Sequence, residues 1–208
     1  FELADRNFNV WWKDQDHDIS RTNLGAELTR MNFRGRNEDI LATLQLGYNK
    51  LFDFYYKVPY LDSKLKHGMG VEFSYATRKE INYQTNKNKQ VFYHHPTYPY
   101  RKFQAKLHYY YRRMYAAVHE IQLSYNNFWI NDDLFQQNSN FLGGKKKINY
   151  LDLSYIYAYN HTDFRVYPTS GLESKWIISK KGLGIDRDVN RFEISNQTSV
   201  YLPIRKRF

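Results

Sequence analysis

The sequence predicts an all-β chain folded as a transmembrane, antiparallel, up-and-down β-barrel, and three observations predict it. Apolar and polar residues alternate with period two over long stretches, the mark of strands whose two faces meet different surroundings. Aromatic residues are in excess: Tyr 20, Phe 14 and Trp 4 make up 18% of the 208 residues. Compact turns and long polar connections follow one another along the chain, as they do in outer-membrane barrels.

Ten strands are expected, taken in chain order. The first four are the weaker patterns, over residues 8–12, 24–29, 40–48 and 52–58. Next comes 69–75, where Met69, Val71, Phe73 and Tyr75 alternate with Gly70, Glu72 and Ser74. In the sixth, Phe103, Ala105, Leu107, Tyr109 and Tyr111 oppose Lys102, Gln104, Lys106 and His108. Ile121, Leu123 and Tyr125 then oppose Glu120, Gln122 and Ser124. Leu151, Leu153, Tyr155, Tyr157 and Tyr159 oppose Asp152 and Ser154, with Ile156 on the polar side. Residues 172–179 follow as a weaker strand. In the last, Phe192, Ile194, Val200 and Leu202 oppose Glu193, Ser195, Gln197 and Ser199. Compact links are expected at 32–37, 58–68, 112–114 and 161–171. Long polar ones are expected at 79–100, 128–147 and 180–190, and the short link at Asn49-Lys50 breaks the alternation.

A soluble sandwich or lipocalin-like barrel is the alternative. Its strands are usually shorter, about 5–6 residues, and its apolar face turns inward. Here aromatics gather at strand ends (Trp11 and Trp12, Tyr109 to Tyr111, Phe128 and Trp129), where interfacial Tyr and Trp sit in membrane proteins. No apolar run reaches the roughly 18–20 residues of a membrane-spanning helix.

Composition narrows the chemistry. Cys is absent, which removes disulfide frameworks, thiolate zinc sites and cysteine nucleophiles. His94 and His95 are adjacent, so in a strand they point to opposite faces and do not chelate one ion. No G-x-S-x-G elbow frames a serine, and Gly143-Gly144-Lys145 lacks the rest of a phosphate loop; it reads as a hairpin tip. The chain is therefore not expected to be an enzyme or to carry a catalytic residue, metal or cofactor. The net charge of +10 comes partly from Lys145, Lys146, Lys147, Lys180 and Lys181, with Arg205, Lys206 and Arg207. These fall in connections and not along a strand face, so lipid head groups, including lipopolysaccharide, are the expected partners and nucleic acid is not. The opening Phe1 and the basic end at Phe208 suggest a piece of a longer secreted polypeptide.

Several stretches resemble BamA-like outer-membrane assembly factors, the bacterial surface antigen family. The run from Phe1 to Trp12, with Asp5, Phe8, Val10, Trp11 and Trp12, resembles the family's first barrel strand. Asn32-Phe33-Arg34-Gly35-Arg36 matches its asparagine–aromatic–x–glycine turn. Val58-Pro59-Tyr60-Leu61 is similar to its proline–aromatic pair, and Tyr167-Pro168-Thr169-Ser170-Gly171 to its aromatic-Pro-Thr-x-Gly turn. Tyr201-Leu202-Pro203-Ile204 falls where the family's tenth strand ends. The resemblance implies a barrel of about sixteen strands, of which residues 1–208 would be the N-terminal ten. It implies insertion of unfolded outer-membrane clients through a lateral seam at residues 5–12, with accessory lipoproteins as further partners and the bacterial outer membrane as location. A secretion translocator, a barrel anchoring an upstream soluble domain and a passive porin-like channel are the alternatives.

Overall fold

The computed structural model describes residues 2–4, 7–184 and 189–203. Twelve strands form: β1 (Glu2–Leu3), β2 (Thr22–Phe33), β3 (Glu38–Gly47), β4 (Lys50–Val58), β5 (His67–Arg78), β6 (Glu80–Asn86), β7 (Lys89–His94), β8 (Tyr100–Met114), β9 (Ala117–Ile130), β10 (Lys147–Thr162), β11 (Gly171–Lys181) and β12 (Arg191–Tyr201). Helices are short, α1 (Phe8–Asp14) and α2 (Asp132–Gln137). Ten strands make one antiparallel sheet in the order β1-β2-β3-β4-β5-β8-β9-β10-β11-β12, each paired with its sequence neighbour apart from the excursion of the β6–β7 hairpin. Its outermost members, β1 and β12, are not neighbours, so among the described residues the sheet is an open wall.

Register makes the two faces chemically distinct. Val71, Leu107, Leu123 and Leu153 lie in one cross-strand row, and Glu72, Lys106, Ser124 and Asp152 in the adjacent row on the other face. Exposure runs opposite to a soluble protein: Leu107 is 52% exposed and Leu153 43%, while Ser124 is 2% and Ser154 7%. The strands contact chiefly their sheet neighbours, and among the described residues no second layer packs on either face. The sheltered polar face is thus the concave, lumenal one, and the apolar face points outward. An outward apolar band over a polar lumen is the pattern lipid imposes on a barrel wall.

Nine of the ten expected strands form, and the first is corrected. Phe8, Val10, Trp11 and Trp12 belong to α1 and not to a strand. Asn7 caps the helix, its side-chain oxygen accepting from the Val10 N–H at 2.9 Å, and Phe8, Trp11 and Trp12 share one helical face. Trp11 Nε1 donates to the Asp18 carbonyl at 2.8 Å, and the Phe8 and Trp12 rings stack with centroids 5.6 Å apart. Asp5, at the start of the expected strand, lies outside the described residues.

Two long connections also hold structure where polar loops are expected. Residues 79–100 contain the β6–β7 hairpin, turned at Lys87 and Asn88, both with positive φ. Residues 128–147 contain α2, capped by the Asn131 side chain accepting from the Leu134 N–H at 3.0 Å. Ile130 and Leu134 are fully buried beside Pro99, and Asn138 Nδ2 donates to the Tyr83 carbonyl at 2.7 Å. Among the described residues three of the four buried apolar side chains, Tyr48, Ile130 and Leu134, thus sit at the long-connection end.

Candidate functional site: sheet edges, lumenal wall and turns

The turns come first, because they set register. At the β2–β3 turn, Asn32, Arg34, Gly35 and Asn37 all take positive φ, and Asn32 Oδ1 accepts from the Asn37 N–H at 2.7 Å. Gly35 meets the conformation without steric cost. Pro59 follows β4, and its carbonyl crowds Gly68: a Cβ there would lie 2.5 Å from the Pro59 oxygen. In the β10–β11 turn the Asp163 carboxylate accepts from the N–H groups of Phe164, Thr169 and Ser170, and from the Thr169 hydroxyl. Those bonds, led by the Thr169 hydroxyl, hold the Asp163 carboxyl well below the usual range. Pro168 sits outside the ladder, where its missing N–H costs nothing. Gly171, at φ 116°, lets β11 begin against His161, whose carbonyl oxygen would be 2.2 Å from a Cβ. The five turn residues expected from the sequence thus lie in, or at the strand ends bordering, the compact connections at one end of the sheet.

The lumenal wall carries polar and charged side chains paired across strands. Lys106 Nζ is 2.7 Å from Glu72 Oε1, and His108 Nδ1 is 2.7 Å from Glu120 Oε1. His108 Nε2 is 3.7 Å from Glu72, and Gln104 donates to Asn126 at 2.6 Å. Paired charges of this kind suit a hydrated lumen. Among the described residues no group of three or more His, Asp or Glu side chains is placed to hold a metal ion.

The five expected head-group lysines lie at the long-connection end in differing surroundings. Lys146 bridges Asp132 at 2.5 Å and lies over the Phe135 ring. Lys145 precedes it in the same connection, and Lys147 opens β10. Lys180, opposite Leu153, is on the outward face and bonds Asn190. Lys181 is on the lumenal face, 3.0 Å from Glu193.

Sequence reading misses a second cluster at this end. Buried Arg21 donates to Tyr48 and to Glu80 at 2.9 Å each, and Tyr48 donates to Glu80 at 2.8 Å, with His94 Nδ1 2.8 Å from the Tyr48 hydroxyl. It ties the segment before β2 to the β6–β7 hairpin. Nothing in a linear motif joins residues 21, 48, 80 and 94; only the fold does.

The edges complete the site. β1 contributes Glu2 and Leu3, paired with Asn23 and Thr22 at the start of β2. The other edge is β12, which exposes Phe192 and Ile194 outward. The segment beside β2 is thus Glu2–Leu3, and α1 lies in the connection between β1 and β2 at the long-connection end.

Comparison with known proteins agrees with this architecture. BamA from Haemophilus ducreyi lacking POTRA domains 1-3 has a similar fold, at a TM-score of 0.59 and 14% identity, over 91% of this chain and 36% of that one. The chain therefore spans about a third of the length of that structure. No curated protein sequence matches. The model of the Omp85 superfamily domain matches residues 32–208, most of the chain. The protein belongs to the Omp85 superfamily and is a β-barrel protein of the bacterial outer membrane.

Proposed function

We propose that this Omp85-type chain is the N-terminal wall of an outer-membrane assembly factor that admits client strands at a lateral seam. The observation that carries the reading is the ladder order: among the described residues the sheet ends at β1 on one side and at β12 on the other, with no pairing between them. Unpaired backbone in lipid is costly, so each edge takes a partner. An edge that exchanges its partner for an unfolded strand performs assembly by β-augmentation, through main-chain hydrogen bonds and with no covalent step. No enzymatic role is proposed. The seam strand is β1, Glu2–Leu3, in place of residues 5–12. The aromatic helix α1 follows it directly, with Phe8 57% and Trp12 52% exposed beside the seam.

The test is photo-crosslinking in the full-length protein. A photoreactive residue at Leu3 should capture an unfolded outer-membrane client during its insertion, while one at Leu107, mid-sheet, should not. Capture of a secreted partner in place of membrane clients would favour the translocator reading. No client adduct at Leu3 would overturn the proposed seam.

A further inference from the structure

The outward face carries, near its turn end, a row of rings that the proposed function does not use. Cross-strand pairing places His67, Tyr111, His119, Tyr157 and Trp176 side by side, one from each of β5, β8, β9, β10 and β11. His67 Nδ1 lies 2.7 Å from the Tyr109 hydroxyl and His119 Nδ1 2.7 Å from the Tyr155 hydroxyl. The His67 and Tyr111 centroids are 5.3 Å apart, and those of His119 and Tyr157 5.0 Å. Each histidine is thus fixed within the row and keeps its second ring nitrogen, Nε2.

A groove of about 630 Å³ opens over His67, Tyr111 and His119, walled by Ile121 as well as by Tyr109, Tyr155 and Arg113. Arg113 also lines an adjoining recess of about 690 Å³, with Lys64, Lys66, Arg112 and Arg165. Among the described residues no carboxylate lines either one. The acids of the neighbouring turns are already engaged. Asp62 accepts from the N–H groups of Lys66 and His67, and Asp163 is held within its own turn. Glu38 is bound by Arg34, Arg36 and Tyr56. An apolar and aromatic wall facing lipid therefore grades, through Arg113, into a recess of five cations at the membrane boundary.

We propose that this groove is a binding site for an anionic glycerophospholipid of the leaflet nearest the turns. The phosphate sits at Arg113 and the neighbouring cations, the glycerol region lies along the His67 and His119 rings, and an acyl chain runs over Ile121. The charge complementarity names the occupant: five cations without a free acid call for an anion, and the apolar wall calls for one that carries a lipid tail. The rings alone would make a generic interfacial girdle. The cations beside a groove of lipid width make it a site.

The test uses the full-length protein released from bilayers of phosphatidylcholine mixed with phosphatidylglycerol, with retained lipid counted by native mass spectrometry. Wild type should retain phosphatidylglycerol selectively. Arg113→Gln should lower that retention about fivefold, the loss expected for one interfacial cation, and adding His67→Gln and His119→Gln should lower it further. Lys89→Gln, in the β6–β7 hairpin at the opposite end, should leave it unchanged. Heat-modifiable migration of each variant reports an intact barrel, and Arg113→Gln, at an exposed position, serves where the triple variant does not fold. Equal retention of both lipids, unchanged retention in Arg113→Gln, or full displacement by inorganic phosphate would each overturn the proposal.

Discussion

Leu123 and Ser124 are adjacent on β9, yet the leucine is 38% exposed and the serine 2%. In a soluble sandwich those values would be exchanged, because burial is what stabilises an apolar side chain in water. Across the same sheet the outward row of Val71, Leu107, Leu123 and Leu153 has no element packed above it among the described residues. In the lumenal row next to it Glu72 pairs with Lys106, while Ser124 accepts from Gln122 and Asp152 from Ser154. The difference teaches that the outward face is completed by something outside the chain, namely lipid, and that the lumenal face is completed by its own charges and water.

Charge placement gives the largest expected break in that contrast. Leu153→Arg puts a cation on the lipid face and should destabilise the inserted protein by about 2–4 kcal/mol. Asp152→Arg, one residue along and lumenal, should cost less. Unfolding in urea from lipid vesicles compares the two; equal costs, or the reverse order, would contradict the assigned faces.

The lumenal network should give the next largest effect. Glu72→Gln takes the charge partner from Lys106 and the nearby acid from His108, and should cost about 1–3 kcal/mol in the same assay. Restoring charge balance with Lys106→Gln in the Glu72→Gln background should recover part of that loss. A double variant as unstable as the sum of the singles would show that the pair is not coupled.

Outside the sheet, Asn7→Ala removes the cap of α1 and should cost the helix about 1 kcal/mol without changing insertion. Amide exchange at Val10 and Trp11 should quicken while exchange in β9 is unaltered. Quickening in both would mean that α1 supports the sheet.

The smallest expected effect is in the β10–β11 turn, where the Asp163 carboxyl is held below its ordinary value by its hydrogen bonds. A depressed carboxylate stabilises the fold above its unfolded value, about pH 3.9, and that contribution is lost as pH falls through the lower folded value. Wild type should therefore lose stability below about pH 4 more steeply than Asp163→Asn. Parallel acid profiles would remove Asp163 from that account.

These contrasts also show what the sequence carried. From 24 onward, every strand of the main sheet was legible, because lipid on one side and water on the other force strict alternation. The turn positions Asn32, Gly35, Pro59, Pro168 and Gly171 were legible because positive φ and a missing N–H leave residue signatures. Helix α1 was misread: Phe8, Trp11 and Trp12 fit i, i+3, i+4 spacing, but five residues are too few for either period to stand out. Hairpin β6–β7 and α2 were hidden in polar stretches, although Asn131 before Asp132 and Asp133 is a capping signal. The row from His67 to Trp176 was illegible, since its members lie on five strands and only register, fixed by the turns, aligns them.

The central claim is that these two faces meet lipid and water respectively, and spin labels test it most directly. Labels placed singly at Gln122, Leu123, Asp152 and Leu153 of the full-length protein in bilayers report contact with dissolved oxygen, which favours lipid, and with a water-soluble nickel chelate. The account predicts high oxygen contact at Leu123 and Leu153 and high nickel contact at Gln122 and Asp152. The same preference at all four sites, or the opposite phase, would contradict it.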